Sequence, residues 1–156
     1  MKKRYRMSPK KTLKQIKLIY FIVTIMLAIF AAFTYVYITI NGHVYQLDAN
    51  AENNLKSLII VLALAGIPAS YMFQRRKISQ LSEELPAAKK LHQYRLAYFI
   101  KIMTLEGLSL LSLLGYLMTG NLNQLMIFGL IYLFLVLNFP KTSTILTELN
   151  IDKSEL

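Results

Sequence analysis

The sequence predicts an all-α membrane protein: four transmembrane helices laid out as two tandem hairpins in parallel repeat. Three observations carry that prediction. There are four apolar runs within 156 residues, lysine and arginine are distributed unevenly around them, and the chain matches itself at an offset of 78 residues. A hydrophobic content of 55% with 17% charged residues is too apolar for an ordinary soluble domain. A single membrane domain over residues 1–156 accounts for this composition.

The first run, residues 18–40, has no charged residue. At 1.5 Å per residue it is about 34 Å long, enough to cross a hydrocarbon core of about 30 Å. Its basic approach also suits a cleaved signal peptide, but such signals hold only about 7–15 apolar residues before an A-x-A site, so a span is the better reading. Residues 55–73 form the second span, with Lys56 placed to snorkel from its outer end and Pro68 set to bend its inner half. The third, 96–118, and the fourth, 122–139, are joined by the short TGNLN turn and are therefore antiparallel neighbours. Pro140 is expected to end the fourth span or open a new helix.

Direction follows from the cations, which cytoplasmic loops retain. Residues 41–54 carry Asp48 and Glu52 but no lysine or arginine, and the TGNLN turn has no charge. By contrast, Arg75, Arg76, Lys77, Lys89, Lys90 and Arg95 crowd the linker at 74–95. Both termini are thus expected in the cytoplasm, as a basic arm over 1–17 and a tail over 140–156. Tyrosines fit the same frame: Tyr20, Tyr71, Tyr94 and Tyr98 mark the inner interface, and Tyr37, Tyr45 and Tyr116 the outer one.

The net charge of +10 finds its explanation at the inner interface. Lys2, Lys3, Arg4, Arg6, Lys10, Lys11, Lys14 and Lys17, eight of the eighteen cations, precede the first span. With Arg75, Arg76 and Lys77 they are the candidate contacts to a bilayer with anionic headgroups, worth about 1 kcal/mol for each cation near the surface. Nucleic acid is not an expected partner, because no aromatic-studded basic fold is present.

LKQIKLIYFI at residues 13–22 lies over LHQYRLAYFI at 91–100, and six of ten positions are identical. The register continues without a gap, placing Leu27 on Leu105 and Gly42 on Gly120. A two-span unit copied head to tail keeps its orientation, so the halves should be related by an axis along the membrane normal. That implies a pseudo-twofold four-helix bundle. In the linker, Ile78, Leu81 and Leu85 recur at helical spacing, and Ile145 and Leu149 give the tail an apolar face. Either segment is expected as a solvated helix, with lipid or a partner as the other possible cover.

Enzyme chemistry finds little support. There is no cysteine, and His43 and His92 lie near opposite ends of the spans, so neither a metal site nor a cofactor is expected. No phosphate-binding glycine loop, G-x-S-x-G or H-E-x-x-H occurs, and the adjacent Glu83 and Glu84 fall on the charged linker. Glu106 is the exception: it lies eleven residues beyond Arg95, about 16 Å along a helix and so near the bilayer midplane. A carboxyl there should face the bundle interior, be protonated or find a partner.

Lys101 is five positions away, about 140° around the helix, and is expected to snorkel inward instead of pairing with Glu106. Ser109, Leu113 and Tyr116 continue the Glu106 face, so Glu106, Lys101, Ser109 and Tyr116 are the candidate ion- or proton-binding residues. In the repeat register Val23 and Ala28 stand where Lys101 and Glu106 do, so both charges belong to the second half alone. Small residues at four-residue spacing mark expected helix contacts: Ala28 with Ala32, Ala65 with Ala69, and Gly66 with Ser70, to which Gly107 and Gly115 add a third helix.

The second half, from YRLAYFIKIMTLEGLSLLSLLGYLMTGN to FPKTSTILTELNI, carries an entry arginine at Arg95, a central Glu106-Gly107, an outer Gly120-Asn121 and a Pro140-Lys141 tail. In these features it resembles a group of small bacterial four-helix integral membrane proteins of unknown function, which implies a multi-pass protein of the inner membrane. Rotor proteolipids of ion-driven ATPases put their carboxylate on the second helix of a hairpin, whereas Glu106 lies on a first helix. Small multidrug transporters put theirs in the first span, where Ala28 stands. The expected function is a non-catalytic membrane subunit or scaffold that assembles with itself or another membrane protein. The competing expectation is an oligomeric proton- or cation-coupled transporter or pore using Glu106.

Overall fold

The computed structural model describes residues 8–45, 47–82 and 84–155. Lys2, Lys3, Arg4 and Arg6 of the basic arm, and Glu83 of the linker, lie outside the described residues. The chain is helical, with no strand among the described residues: α1 (Pro9–Asn41), α2 (Ala49–Ser79), α3 (Ala87–Thr119), α4 (Leu122–Leu137), α5 (Thr142–Glu148) and a short 3₁₀ turn at Lys153–Glu155. Helices α1, α2 and α3 are long and apolar enough to cross a membrane, and α4 joins them if it is counted with α5 as one bent span.

Local chemistry sets each boundary. Ser8 caps α1 with its hydroxyl, accepting from the Lys11 amide, and Pro9 opens the helix at a position that needs no N–H donor. Asp48 caps α2, accepting from the Ala51 amide at 2.9 Å, so the helix starts six residues before the apolar run does. Pro68 is accommodated within the continuous α2. Gly42 (φ 79°) ends α1 and Gly120 (φ 66°) ends α3, both in backbone conformations that penalise a Cβ. The α1–α2 loop then folds onto the end of α3, where the Val44 and Tyr45 amides donate to the Leu117 and Met118 carbonyls, both at 3.2 Å.

Helix α3 is the axis of the molecule, packing closely on α1, α2 and α4. Leu91, Ile102, Leu105 and Leu113 on α3 are fully buried. Outward faces of α1 and α2, such as Phe33, Ile40, Leu64 and Met72, remain apolar and exposed, as suits helices bathed in lipid.

The two halves agree in their first helices and diverge in their second. Helices α1 and α3 each have 33 residues, and their bounds differ by the 78 residues of the self-match. Every buried position of α1 (Thr12, Leu13, Ile16, Tyr20, Val23, Leu27 and Thr34) has a buried counterpart 78 residues on in α3. Helix α2, however, runs unbroken for 31 residues, while α4 stops after 16. Nor is α1·α2 among the close helix pairs, as α3·α4 is. The two halves thus match in their first helices and differ in the length of their second.

Pro140 ends the fourth helix, as the sequence predicted. Helix α4 stops at Leu137, and α5 leaves at 74° to it after a break containing Pro140, whose ring bars a continuing helix. The tail, by contrast, is not a solvated helix. Ile145, Leu146, Leu149 and Ile151 are buried and belong to the hydrophobic core of the bundle, so the tail packs against the helices. The buried Lys90 ammonium fastens it, donating to the Leu149 carbonyl at 3.3 Å. In the linker, helix stops at Ser79, and Leu81 and Leu85 are only half-buried.

Candidate functional site

A helix that stops leaves its last carbonyls without intrahelical partners, and these need donors from elsewhere. At the inner end of α4 the donors come from three directions. Tyr20 of α1 donates its hydroxyl to the Val136 carbonyl at 3.0 Å, and Tyr98 of α3 to the Asn138 carbonyl at 2.9 Å. The Asn138 side-chain amide donates back to Phe134 O at 2.6 Å and to the Tyr71 hydroxyl of α2, while the Asn138 backbone amide donates to Leu135 O at 3.0 Å. The carbonyls of Phe134, Leu135, Val136 and Asn138 are thus satisfied.

Lys101 completes the cluster. Only 6% exposed, it does not snorkel: its ammonium donates to Asn138 Oδ1 at 2.8 Å and lies 4.9 Å from the Tyr71 ring centroid and 5.2 Å from that of Tyr98. Two aromatic faces, a side-chain oxygen and the negative end of a helix all favour a cation at this point. From the tail, Glu148 adds the attraction of its carboxylate to Lys101 and also faces the Tyr94 hydroxyl, which the buried Gln74 of α2 meets as well. Snorkelling failed as an expectation because the α4 break brings a polar terminus down to Lys101, so the side chain need not reach for water.

Glu106 lies elsewhere. It is half-buried on the flank of α3 and makes no hydrogen bond or ion pair among the described residues. Ser109 is fully buried but donates to Leu105 O of its own helix at 2.9 Å, and Tyr116 is buried near the outer end. The four candidate ion-binding residues are therefore not gathered into one site: Lys101 belongs to the α4 break, and Glu106 stands apart from it.

The small residues divide in the same way. Gly66 faces Leu108, Ser70 is buried, and Gly115 is pressed by Ile59 and by Gln124, so these three serve packing within the chain. Ala28, Ala32, Ala65, Ala69 and Gly107 lie on the exposed surface of the bundle. Beside Gly115, Ser112 donates to the Gln124 carbonyl at 2.6 Å, while the Gln124 amide, 1% exposed, has no partner among the described residues. Of the basic contacts, Lys10, Lys11, Lys14, Arg75, Arg76 and Lys77 are exposed, and Lys17 is half-buried.

Sequence reasoning singled out Lys101 but missed Asn138, Tyr71 and the pairing of Tyr20 with Tyr98. The available signal was N-F-P-K: a helix-stopping proline two residues after an asparagine at the end of an apolar run. Cavities of about 570 and 330 Å³ lie at the two ends of the molecule, the first within the tail around Ser143, Asn150 and Asp152, the second at the outer loops around His43, Tyr45 and Glu52. No protein family, characterised protein or solved structure matches the chain.

Proposed function

We propose that this chain is a non-catalytic subunit or scaffold of a bacterial inner membrane. Both termini lie in the cytoplasm, and the exposed inner cations rest on anionic headgroups. It assembles with itself or with another membrane protein through the small residues on its outer surface. The observation that carries this reading is how α3 uses its charges: Lys101 is committed to an internal bond with Asn138, which fixes a helix end. Ser109 and Ser112 likewise spend their buried hydroxyls on backbone carbonyls within the chain. In this reading the chain arose by duplication of a two-helix unit, supported by the 78-residue correspondence of α1 and α3, and the second helix of the later copy acquired its break.

One observation favours the competing proton- or cation-coupled reading: Glu106 lies within the apolar helix α3 and has no partner among the described residues. Glu106→Gln separates the two. In reconstituted vesicles a subunit retains its assembly and stability with glutamine there, because the carboxyl makes no hydrogen bond or ion pair among the described residues that the change could remove. A proton or cation flux present in the wild type and abolished by Glu106→Gln would overturn the subunit reading.

A further inference from the structure

Lys101 sits where a free cation would. Its walls come from three helices: the side-chain oxygen of Asn138 at the end of α4, the Tyr71 ring of α2 and the Tyr98 ring of its own α3. They stand at the C-terminal end of α4, the negative pole of its dipole, which attracts positive charge. The titratable groups around it are Tyr20, Tyr71 and Tyr98, with Tyr94 and Glu148 toward the tail. We propose that the inner end of α4 is a monovalent-cation site, suited to a primary ammonium, which the chain fills with its own Lys101, and that this occupancy keeps the α4–α5 break closed and the tail docked.

The ligand class follows from the walls. Asn138 Oδ1 requires a donor, which a primary ammonium has and a quaternary ammonium lacks. The two rings favour a weakly hydrated organic cation over sodium, which would keep too few oxygen ligands. The link to the tail follows from Asn138, the residue at which α4 stops and after which the chain turns into α5. Asn138 is half-buried and Tyr71 is 36% exposed, so a small cation can enter from the inner side. This inference is independent of the subunit reading and holds equally for a transporter.

The test uses the full chain in nanodiscs and follows tryptic cleavage after Lys141, an exposed residue in the break itself. Lys101→Ala empties the site and leaves its walls. Cleavage should quicken about tenfold, the scale of one charged hydrogen bond. Methylammonium chloride should slow it again, and tetramethylammonium chloride at the same concentration should not. Unchanged cleavage in Lys101→Ala, or equal action of the two salts, would overturn the proposal. Should Lys101→Ala fail to fold, Lys101→Met keeps the bulk without the charge: protection as good as that of the wild type would make Lys101 a space-filler and sink the idea. Asn138→Ala gives an independent check, with fast cleavage at Lys141 that methylammonium does not slow. Wild-type protection in that variant would also refute the proposal.

Discussion

Tyr20 and Tyr98, which occupy the same position in the 78-residue self-match, both donate their hydroxyls to the end of α4, to carbonyls only two residues apart, Val136 and Asn138. The repeated tyrosine thus has one job performed twice on one target. Lys101, standing where the first half has Val23, adds a charge to that target. The broken helix and the groups that satisfy it are best understood as a single device.

Removing either hydroxyl leaves a partly buried carbonyl short of its donor. Tyr20→Phe and Tyr98→Phe should each cost about 0.5–1.5 kcal/mol, the range for a hydrogen bond within a membrane protein. Because their acceptors share one helix end, the double variant should depart from the sum of the singles by about 0.5 kcal/mol or more. Reversible unfolding in mixed micelles measures all three. Strict additivity would mean that the tyrosines act separately.

The glycines give a sharper contrast. A Cβ on Gly115 would meet Ile59 Cδ1 at 2.8 Å and Gln124 Cδ at 3.1 Å, so Gly115→Ala should cost about 1–3 kcal/mol. A Cβ on Gly107 meets nothing within 4 Å, and Gly107→Ala should stabilise the helix by up to about 1 kcal/mol. Thermal unfolding in detergent compares them. If Gly107→Ala instead dissociates an oligomer, Gly107 lies at a contact between copies.

The tail can be tested through its buried side chains. Ile145 is 1% exposed and Leu149 is 5% exposed, and alanine at either position should cost about 2–4 kcal/mol. The loss should be local, because α5 is held by its own few contacts. Hydrogen exchange should therefore quicken across residues 142–151 while α3 stays protected. Uniform loss of protection would show that the tail is needed for the whole bundle.

What the sequence revealed and what it hid differ in physical kind. Spans one to three were legible because hydrocarbon thickness demands long, mostly apolar runs. The helices extend beyond the runs at Ser8, Asp48 and Ala87 because capping and helix propensity do not stop at the membrane surface. Apolar content alone could not show that α4 breaks, since residues 122–139 are apolar whether or not Asn138 ends the helix. The Lys101 site was hidden for the same reason: its partners Tyr71 and Asn138 come from other helices and share no spacing with it. The tail was misread because Ile145 and Leu149 look alike facing lipid, solvent or a core.

Orientation can be tested at the α1–α2 loop. Residues 41–54 hold Asp48 and Glu52 without a cation, while Arg75, Arg76 and Lys77 follow at the far end of α2. Retention of cations on the cytoplasmic side therefore predicts that this loop is translocated. An enzyme reporter that works only outside the cytoplasm, fused after Asn50, should be active, and the same reporter fused after Lys77 should be silent. Activity after Lys77 with silence after Asn50 would invert the protein in its membrane. It would also remove the anionic headgroups from beneath the exposed lysines of α1.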